Sequence, residues 1–394
     1  MSTISRCIAL AIERAEVEVL TFIPSFGANS VYNDYCRLKN QALTVSFHPE
    51  VAFSIALGAS LLGKRAVTLL KAHGFLKAGN SIIDALYTGV NGGLVIIVFD
   101  DEAGRQSDSI VDITPILSAM GLPYRVLGSS EKDLYRLIID SFVQSEQLKL
   151  PYILVVEASE MEKEVIINED SQSPEKRIIC RRSSYQRDIT RYILCPLFTK
   201  YQYQTLQFRM GKDITQPGKP AVPMIPEALP EKWHPVINQY SLLFSVFREI
   251  RGEVVTGDVG VSSFFAFPPY NCVDITTCMG GSIPLAIGVF LAGYQDVWAL
   301  TGDYAFISTG HLGMMEALQR KIPLKVLILN NGKSETTGGQ PIPGVILDTI
   351  LEGYKPYVRR IIHPQDRKEV SLILNETSLA KELRIVVADF SSDD

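Results

Sequence analysis

Two uninterrupted apolar runs, GLVIIVFDD at 93–101 and YILVVEA at 152–158, constrain the fold more than any other feature of this chain. A strand apolar at every position, not just alternate ones, must be covered on both faces, as in a parallel sheet flanked by helices. The surrounding sequence fits that plan. Candidate strands at 17–23, 43–47, 66–70, 93–99, 124–127 and 152–156 alternate with segments long enough for crossover helices, such as 51–62 and 132–145. Residues 1–170 therefore read as one doubly wound α/β domain.

The alternation fails between 171 and 235. This stretch holds the basic cluster RRSSYQR and then TQPGKPAVPMIPEALPEKWHP, six prolines in 21 residues. That composition predicts an extended proline-rich linker. Alternation resumes over 236–394, with strands expected at 254–256, 297–300, 324–329, 358–362 and 384–388 and helices at 283–292 and 308–320. The fold class is thus α/β, with two doubly wound parallel-sheet domains joined by a linker.

Charge and cysteine usage narrow the function classes. A net charge of −5 argues against a broad nucleic-acid surface. The only apolar run near the N-terminus, CIALAI, is too short for a signal sequence, and no window reaches the length of a membrane span. A soluble, cytoplasmic protein is expected. Of six cysteines the closest pair, Cys272 and Cys278, are six residues apart, so no run suited to an iron–sulfur cluster is present and reduced, buried thiols are expected.

The chemistry concentrates in VWALTGDYAFISTGHLGMMEALQRKIPLKVLILNNGKSETTGGQ. One apolar strand ends at Gly302-Asp303, a helix follows, and a second strand ends at Asn330-Asn331. Open α/β sheets bind ligands at such strand tips. Asp303 and Asn331 lie 28 residues apart, about one strand–helix–strand unit, so neighbouring strands would bring both side chains to one ion. Mg²⁺ combines a few protein oxygens with ligand phosphates. Asp303 offers a carboxylate, Asn331 an amide oxygen, and the main-chain carbonyl of Lys333 a third ligand. Gly302 lets backbone approach a phosphate, and the helix start beyond Asp303 presents free N–H groups.

Gly302-Asp303 followed by Asn330-Asn331 resembles the thiamine diphosphate signature, Gly-Asp-Gly and then Asn-Asn, with Tyr304 at the third position in place of glycine. The segment CVDITTCMGGSIPLAIG resembles the stretch of acetolactate synthase-type enzymes in which a bulky apolar residue forces the cofactor to bend. Met279 occupies that position, and Gly280 and Ser282 join it in the expected cofactor-binding set. Longer stretches in both halves are similar to the large subunit of indolepyruvate ferredoxin oxidoreductase. These are SFHPEVAFSIALGASLLGKRAVTLLKAHGF and ALYTGVNGGLVIIVFDD in the first half, and GDVGVSSFFAFPPYNCVDITTCMGGSI and ILNNGKSETTGGQPIPG in the second. The resemblance implies a pyrimidine-binding domain, a diphosphate-binding domain, bound thiamine diphosphate and Mg²⁺, a small 2-oxo acid substrate, and at least a homodimer, because the two domain types meet across subunits.

Departures from the family bear on activity. The glutamate that contacts the aminopyrimidine ring in nearly all these enzymes aligns with Pro49. Glu50 follows one residue later, turned by about 100° on a helix. Glyoxylate carboligase also lacks that glutamate and is active. The sequence carries neither the family's ferredoxin-like cysteine-rich domain nor its middle domain. Two cofactor domains alone is the layout of the sulfopyruvate and phosphonopyruvate decarboxylases. The resemblance then implies a non-oxidative 2-oxo acid carboligase (acyloin-forming) or decarboxylase. Its alternatives are an oxidoreductase subunit served by a separate iron–sulfur partner, and a non-catalytic cofactor-binding protein. Glu50, His48 and His73 are the catalytic candidates. Arg105 and Gln106 follow a strand end where the family contacts substrate, and His311 reads as an ordinary helix residue.

Overall fold

Residues 2–128, 133–167, 185–212 and 215–391 are described by the computed structural model. The chain divides into two compact units, 1–186 with 206–214, and 187–205 with 215–394.

The first unit opens with β1 (Ser2–Thr3) and contains β2 (Val19–Phe22), β3 (Ala66–Lys71), β4 (Leu94–Asp100), β5 (Tyr124–Leu127), β6 (Tyr152–Glu157) and β7 (Glu164–Val165). Five of these form a parallel sheet in the order β2-β3-β4-β6-β5, and β1 pairs with β7 in a separate antiparallel ribbon. Every residue of β4 is buried, as its all-apolar sequence requires. Ile8, Ile12, Val67, Ile97, Phe99 and Phe142 are among the residues that fill the core on one side. The helix Pro49–Leu61 packs on β2 and β3 and is buried along almost its whole length, with Pro49 in its first turn, where a missing N–H costs nothing. Residues 43–47, expected as a strand, form none. Phe47 is exposed, and the segment's backbone reaches the sheet edge through Ser46 N–H to Phe22 O at 2.9 Å.

The second unit holds β8 (Val254–Asp258), β9 (Ile275–Thr277), β10 (Val297–Gly302), β11 (Lys325–Asn330), β12 (Val358–Ile361) and β13 (Arg384–Asp389) in one parallel sheet, ordered β12-β13-β11-β10-β8-β9. Its core is aromatic: Phe244 stacks on Phe265 with centroids 3.6 Å apart, and Trp298 is fully buried against Phe247. The helix Ser282–Leu291 packs on β8 and β10, and a Cβ added at Gly313 would come within 2.9 Å of Ile283.

The proline-rich stretch is not a free tether where it is described. Ile189, Ile193, Phe198, Ile225 and Leu229 are buried in the second unit's core. It forms the helices Ile189–Tyr192 and Thr199–Arg209, and its scattered apolar side chains find cover. Residues 168–184, which include the first part of the expected linker from 171, lie outside the described set, and Cys180 with them. The other five cysteines are free thiols, four of them buried. Among the described residues no helix is long and apolar enough to cross a membrane.

Candidate functional site

β10 and β11 are neighbours with Gly302 opposite Leu329, so the two polar pairs foreseen in the sequence emerge side by side at the sheet's C-terminal edge. There they border a half-open cleft of about 540 Å³, its open mouth included, lined by Tyr240, Met279, Asp303, Asn331, Lys333 and Glu335 among others. The Asp303 carboxylate is buried. Its Oδ1 accepts from Tyr304 N–H and its Oδ2 from Gly332 N–H, both at 2.7 Å. Burial raises its pKa against those hydrogen bonds, and among the described residues no ion pair offsets the charge. A buried carboxylate without a cationic side chain is the environment that a divalent cation stabilises.

Gly302 gives a second test of fit. Its backbone is extended, at φ −88° and ψ 163°, and a Cβ built there would meet nothing within 4 Å. Neither conformation nor packing requires glycine at that point, whereas a phosphate lying against the backbone would. Gly332 is different: at φ +67° it turns the chain sharply after Asn331. The loop beyond closes through Ile342 N–H to Gly332 O at 2.7 Å and Ser334 N–H to Gln340 O at 2.9 Å, holding Lys333 opposite Pro341. The residues present therefore suit a diphosphate and its metal ion.

Met279 lies on the loop after β9 and reaches the same cleft, 37% exposed. Two groups that sequence reasoning missed fix that loop. Thr309 Oγ1 donates to Met279 O at 2.9 Å from a π-helical turn, Phe306–Gly310, which follows the Asp303 tip. Asp258, at the tip of β8 and fully buried, accepts from Ser282 N–H at 2.8 Å and from Thr301 Oγ1 at 2.6 Å. Burial pushes its pKa up to about 6 against these bonds. Gly257-Asp258 is a second Gly-Asp pair at a strand tip, the one signal that could have marked it. Gly280 and Ser282, expected to bind cofactor, do not line the cleft. Gly280 sits at φ +80°, where a Cβ would collide with Thr309 Oγ1, and Ser282 is buried against Asp258. Both shape the loop that carries Met279.

Tyr304 is partly exposed at the cleft, and Lys333 Nζ pairs with Glu335 Oε2 at 3.0 Å. His311 is a helix residue, its Nδ1 3.1 Å from Phe306 O. The three catalytic candidates all belong to the first unit. Glu50 opens the helix Pro49–Leu61 and accepts from Ser81 Oγ at 2.9 Å. His48 precedes it with Nδ1 buried and unpartnered; burial lowers its pKa, Lys77 adds to that and Glu50 opposes it. His73 lies in the short helix Ala72–Lys77 after β3, not in a loop, with Nε2 2.8 Å from Ser109 Oγ. The backbone N–H groups of Arg105 and Gln106 both bind the Asp101 carboxylate at 2.9 Å, which with Ser107 Oγ lowers that pKa to about 2.

Comparison with known proteins agrees with this geometry. Residues 257–360 match the thiamine pyrophosphate enzyme C-terminal TPP binding domain. The solved structures of benzoylformate decarboxylase from Polynucleobacter necessarius and of the thiamine diphosphate-dependent 4-hydroxybenzoylformate decarboxylase from Rhodococcus jostii RHA1 superpose with TM-scores of 0.68 and 0.69. They are 11% and 13% identical and cover 99% and 100% of this chain, and 99% and 100% of their own. The indolepyruvate oxidoreductase subunit IorA of Methanothermobacter thermautotrophicus is 30% identical over 32% of this chain, a match spanning only 22% of that subunit. That of Pyrococcus abyssi is 30% identical over 87% of this chain and 77% of its own length. With both halves matched in order by that relative, the chain belongs to the family of the indolepyruvate oxidoreductase IorA subunits, among the thiamine diphosphate-dependent enzymes.

Proposed function

We propose that this chain is a thiamine diphosphate- and Mg²⁺-dependent, non-oxidative 2-oxo acid carboligase or decarboxylase. The observation that carries this reading is the single cleft shared by Asp303, Asn331 and Met279, beside a glycine the protein itself does not need. Asp303, Asn331 and the main-chain carbonyl of Lys333 would hold Mg²⁺, an ion that favours oxygen ligands and keeps phosphate in its shell. When bound, thiamine diphosphate supplies the electron sink that lets a 2-oxo acid lose CO₂. The chain's own part is to bind the anion, exclude water and move protons. Met279 offers the apolar support for a bent cofactor. His48, kept neutral by burial beside Lys77, is suited to accept a proton, with His73 and Glu50 as the other candidates.

A non-oxidative outcome is supported by the dispersed cysteines, which give no closely spaced thiolate run for an electron-accepting cluster. The two solved structures named above carry the names of decarboxylases that act on 2-oxo acids. A second reading follows from the relatives' name: a 2-oxo acid oxidoreductase subunit that passes electrons to a separate iron–sulfur partner. Calorimetric titration with thiamine diphosphate and Mg²⁺, then product analysis on a 2-oxo acid panel with and without an artificial electron acceptor, separates the two. Aldehyde or acyloin formed without acceptor reduction supports the first, and coenzyme A-dependent acceptor reduction the second. The family's pairing of domains across subunits makes a homodimer the expected assembly.

A further inference from the structure

Glu335 is the one carboxylate besides Asp303 on the cleft wall, among the described residues, and nothing so far gives it a task. The left-handed turn at Gly332 folds the chain back so that Glu335 Oε2 lies 3.0 Å from Asn331 Nδ2 and 3.0 Å from Lys333 Nζ. The Glu335 side chain is 14% exposed, so its carboxylate meets the Asn331 amide away from bulk water, while Lys333 covers it from the solvent side.

An asparagine ligand binds a metal through its amide oxygen, and rotation by a half-turn would present the NH₂ group instead. What selects the orientation is therefore part of the site. The Tyr240 hydroxyl lies beside the Asn331 amide but can donate or accept, so it does not discriminate. A carboxylate only accepts. Glu335 thus holds Nδ2 toward itself and leaves Oδ1 on the Lys333 N–H, at 3.2 Å, next to the Gly332 N–H that holds Asp303 Oδ2. Lys333 Nζ neutralises Glu335, so the orienting charge adds little to the repulsion felt by an entering diphosphate.

We propose that Glu335 is a positioning residue that sets the divalent-cation affinity of this cleft by fixing the Asn331 amide with its oxygen toward Asp303. The inference rests on the thiamine diphosphate and Mg²⁺ reading above. Carboxylates behind a metal ligand typically change metal affinity 10–100-fold when removed.

The test is Mg²⁺ titration of the full chain at saturating thiamine diphosphate, followed by calorimetry, together with the cofactor Kd at saturating Mg²⁺. Glu335→Ala should raise the apparent Kd for Mg²⁺ by about 10-fold or more, while the cofactor Kd at saturating Mg²⁺ moves less than about threefold. Glu335→Gln should restore Mg²⁺ affinity to near the unaltered level, because Lys333 Nζ, which only donates, holds the glutamine oxygen where Oε2 lies, facing Asn331 Nδ2. Equal losses in both variants would overturn the proposal and make Glu335 a direct ligand or a source of attraction. Unchanged Mg²⁺ affinity in Glu335→Ala would overturn it outright. A thermal melt of each variant guards against misfolding, and the glutamine variant decides the matter if alanine unfolds the loop. If the unaltered chain binds no cofactor with Mg²⁺ present, the reading beneath fails and takes this proposal with it, a result distinct from the variant pattern.

Discussion

The Asp303 carboxylate and the Asn331 amide oxygen rest on consecutive peptide N–H groups, those of Gly332 at 2.7 Å and Lys333 at 3.2 Å. Residues 28 apart in sequence are thereby held on one short turn of backbone. Asp303→Ala should abolish Mg²⁺-dependent binding of thiamine diphosphate, a loss of at least about 100-fold, or roughly 2.7 kcal/mol. Calorimetry with and without Mg²⁺ checks it, and undiminished affinity would remove Asp303 from the ion site.

Gly302→Ala separates ligand contact from protein packing. With extended backbone and open space around the added methyl, stability should stay within about 0.5 kcal/mol of the unaltered chain. Cofactor affinity should nevertheless fall, because the methyl occupies the diphosphate's approach. A melting curve paired with a binding isotherm gives both numbers, and full binding by the variant would count against a ligand at this tip.

The opposite split is expected at Gly280. Its φ of +80° and its closeness to Thr309 Oγ1 and Gly310 N leave no room for a side chain. Gly280→Ala should cost on the order of 1–3 kcal/mol and displace Met279 as well. Chemical denaturation would reveal it, and an alanine variant as stable as the parent would mean that the loop relaxes freely.

Asp258 gives stability a pH dependence of defined sign. Its folded pKa, about 6, lies above the roughly 3.9 of an unfolded aspartate. Between about pH 4 and pH 6 the folded chain holds more protons than the unfolded one, so this group makes stability fall as pH rises through that window. Asp258→Asn removes the effect: its oxygen can keep Ser282 N–H, and Thr301 Oγ1 can accept from its NH₂. Relative to the parent, the variant should gain on the order of 2–3 kcal/mol between pH 4 and pH 6.5. Urea titrations across that range would expose a flat difference if the assignment is wrong.

Glu50→Gln should leave cofactor affinity within about threefold, since the carboxylate already serves Ser81 in its own unit and glutamine can accept the same bond. Steady-state kinetics beside calorimetry then assign its part. A fall in kcat at constant binding gives Glu50 a proton to move, and unchanged kcat leaves it opening its helix.

The strands were legible where burial on both faces writes an unbroken apolar run, as in β4 and β6. At 43–47 the apolar residues lie at a sheet edge without forming a strand, and β9 escaped notice because its threonines are buried but polar. The proline-rich stretch hid core residues such as Ile225 and Leu229, because proline spacing reports on backbone regularity and not on side-chain cover. Within the site, Asp303 and Asn331 were readable from strand-tip spacing, and Met279 only from the family resemblance. Thr309, Asp258 and Glu335 were not.

By itself the sequence determined the strand order of burial, the two polar strand tips and the type of oxygen each offers, since those follow from local pattern and residue chemistry. Only the tertiary structure decided which peptide groups those oxygens rest on, how Gly280 and Ser282 shape the loop that carries Met279, and that Glu335 faces Asn331. Such contacts depend on a left-handed turn, a π-helical turn and a register between neighbouring strands, each set by packing between segments that no local pattern relates.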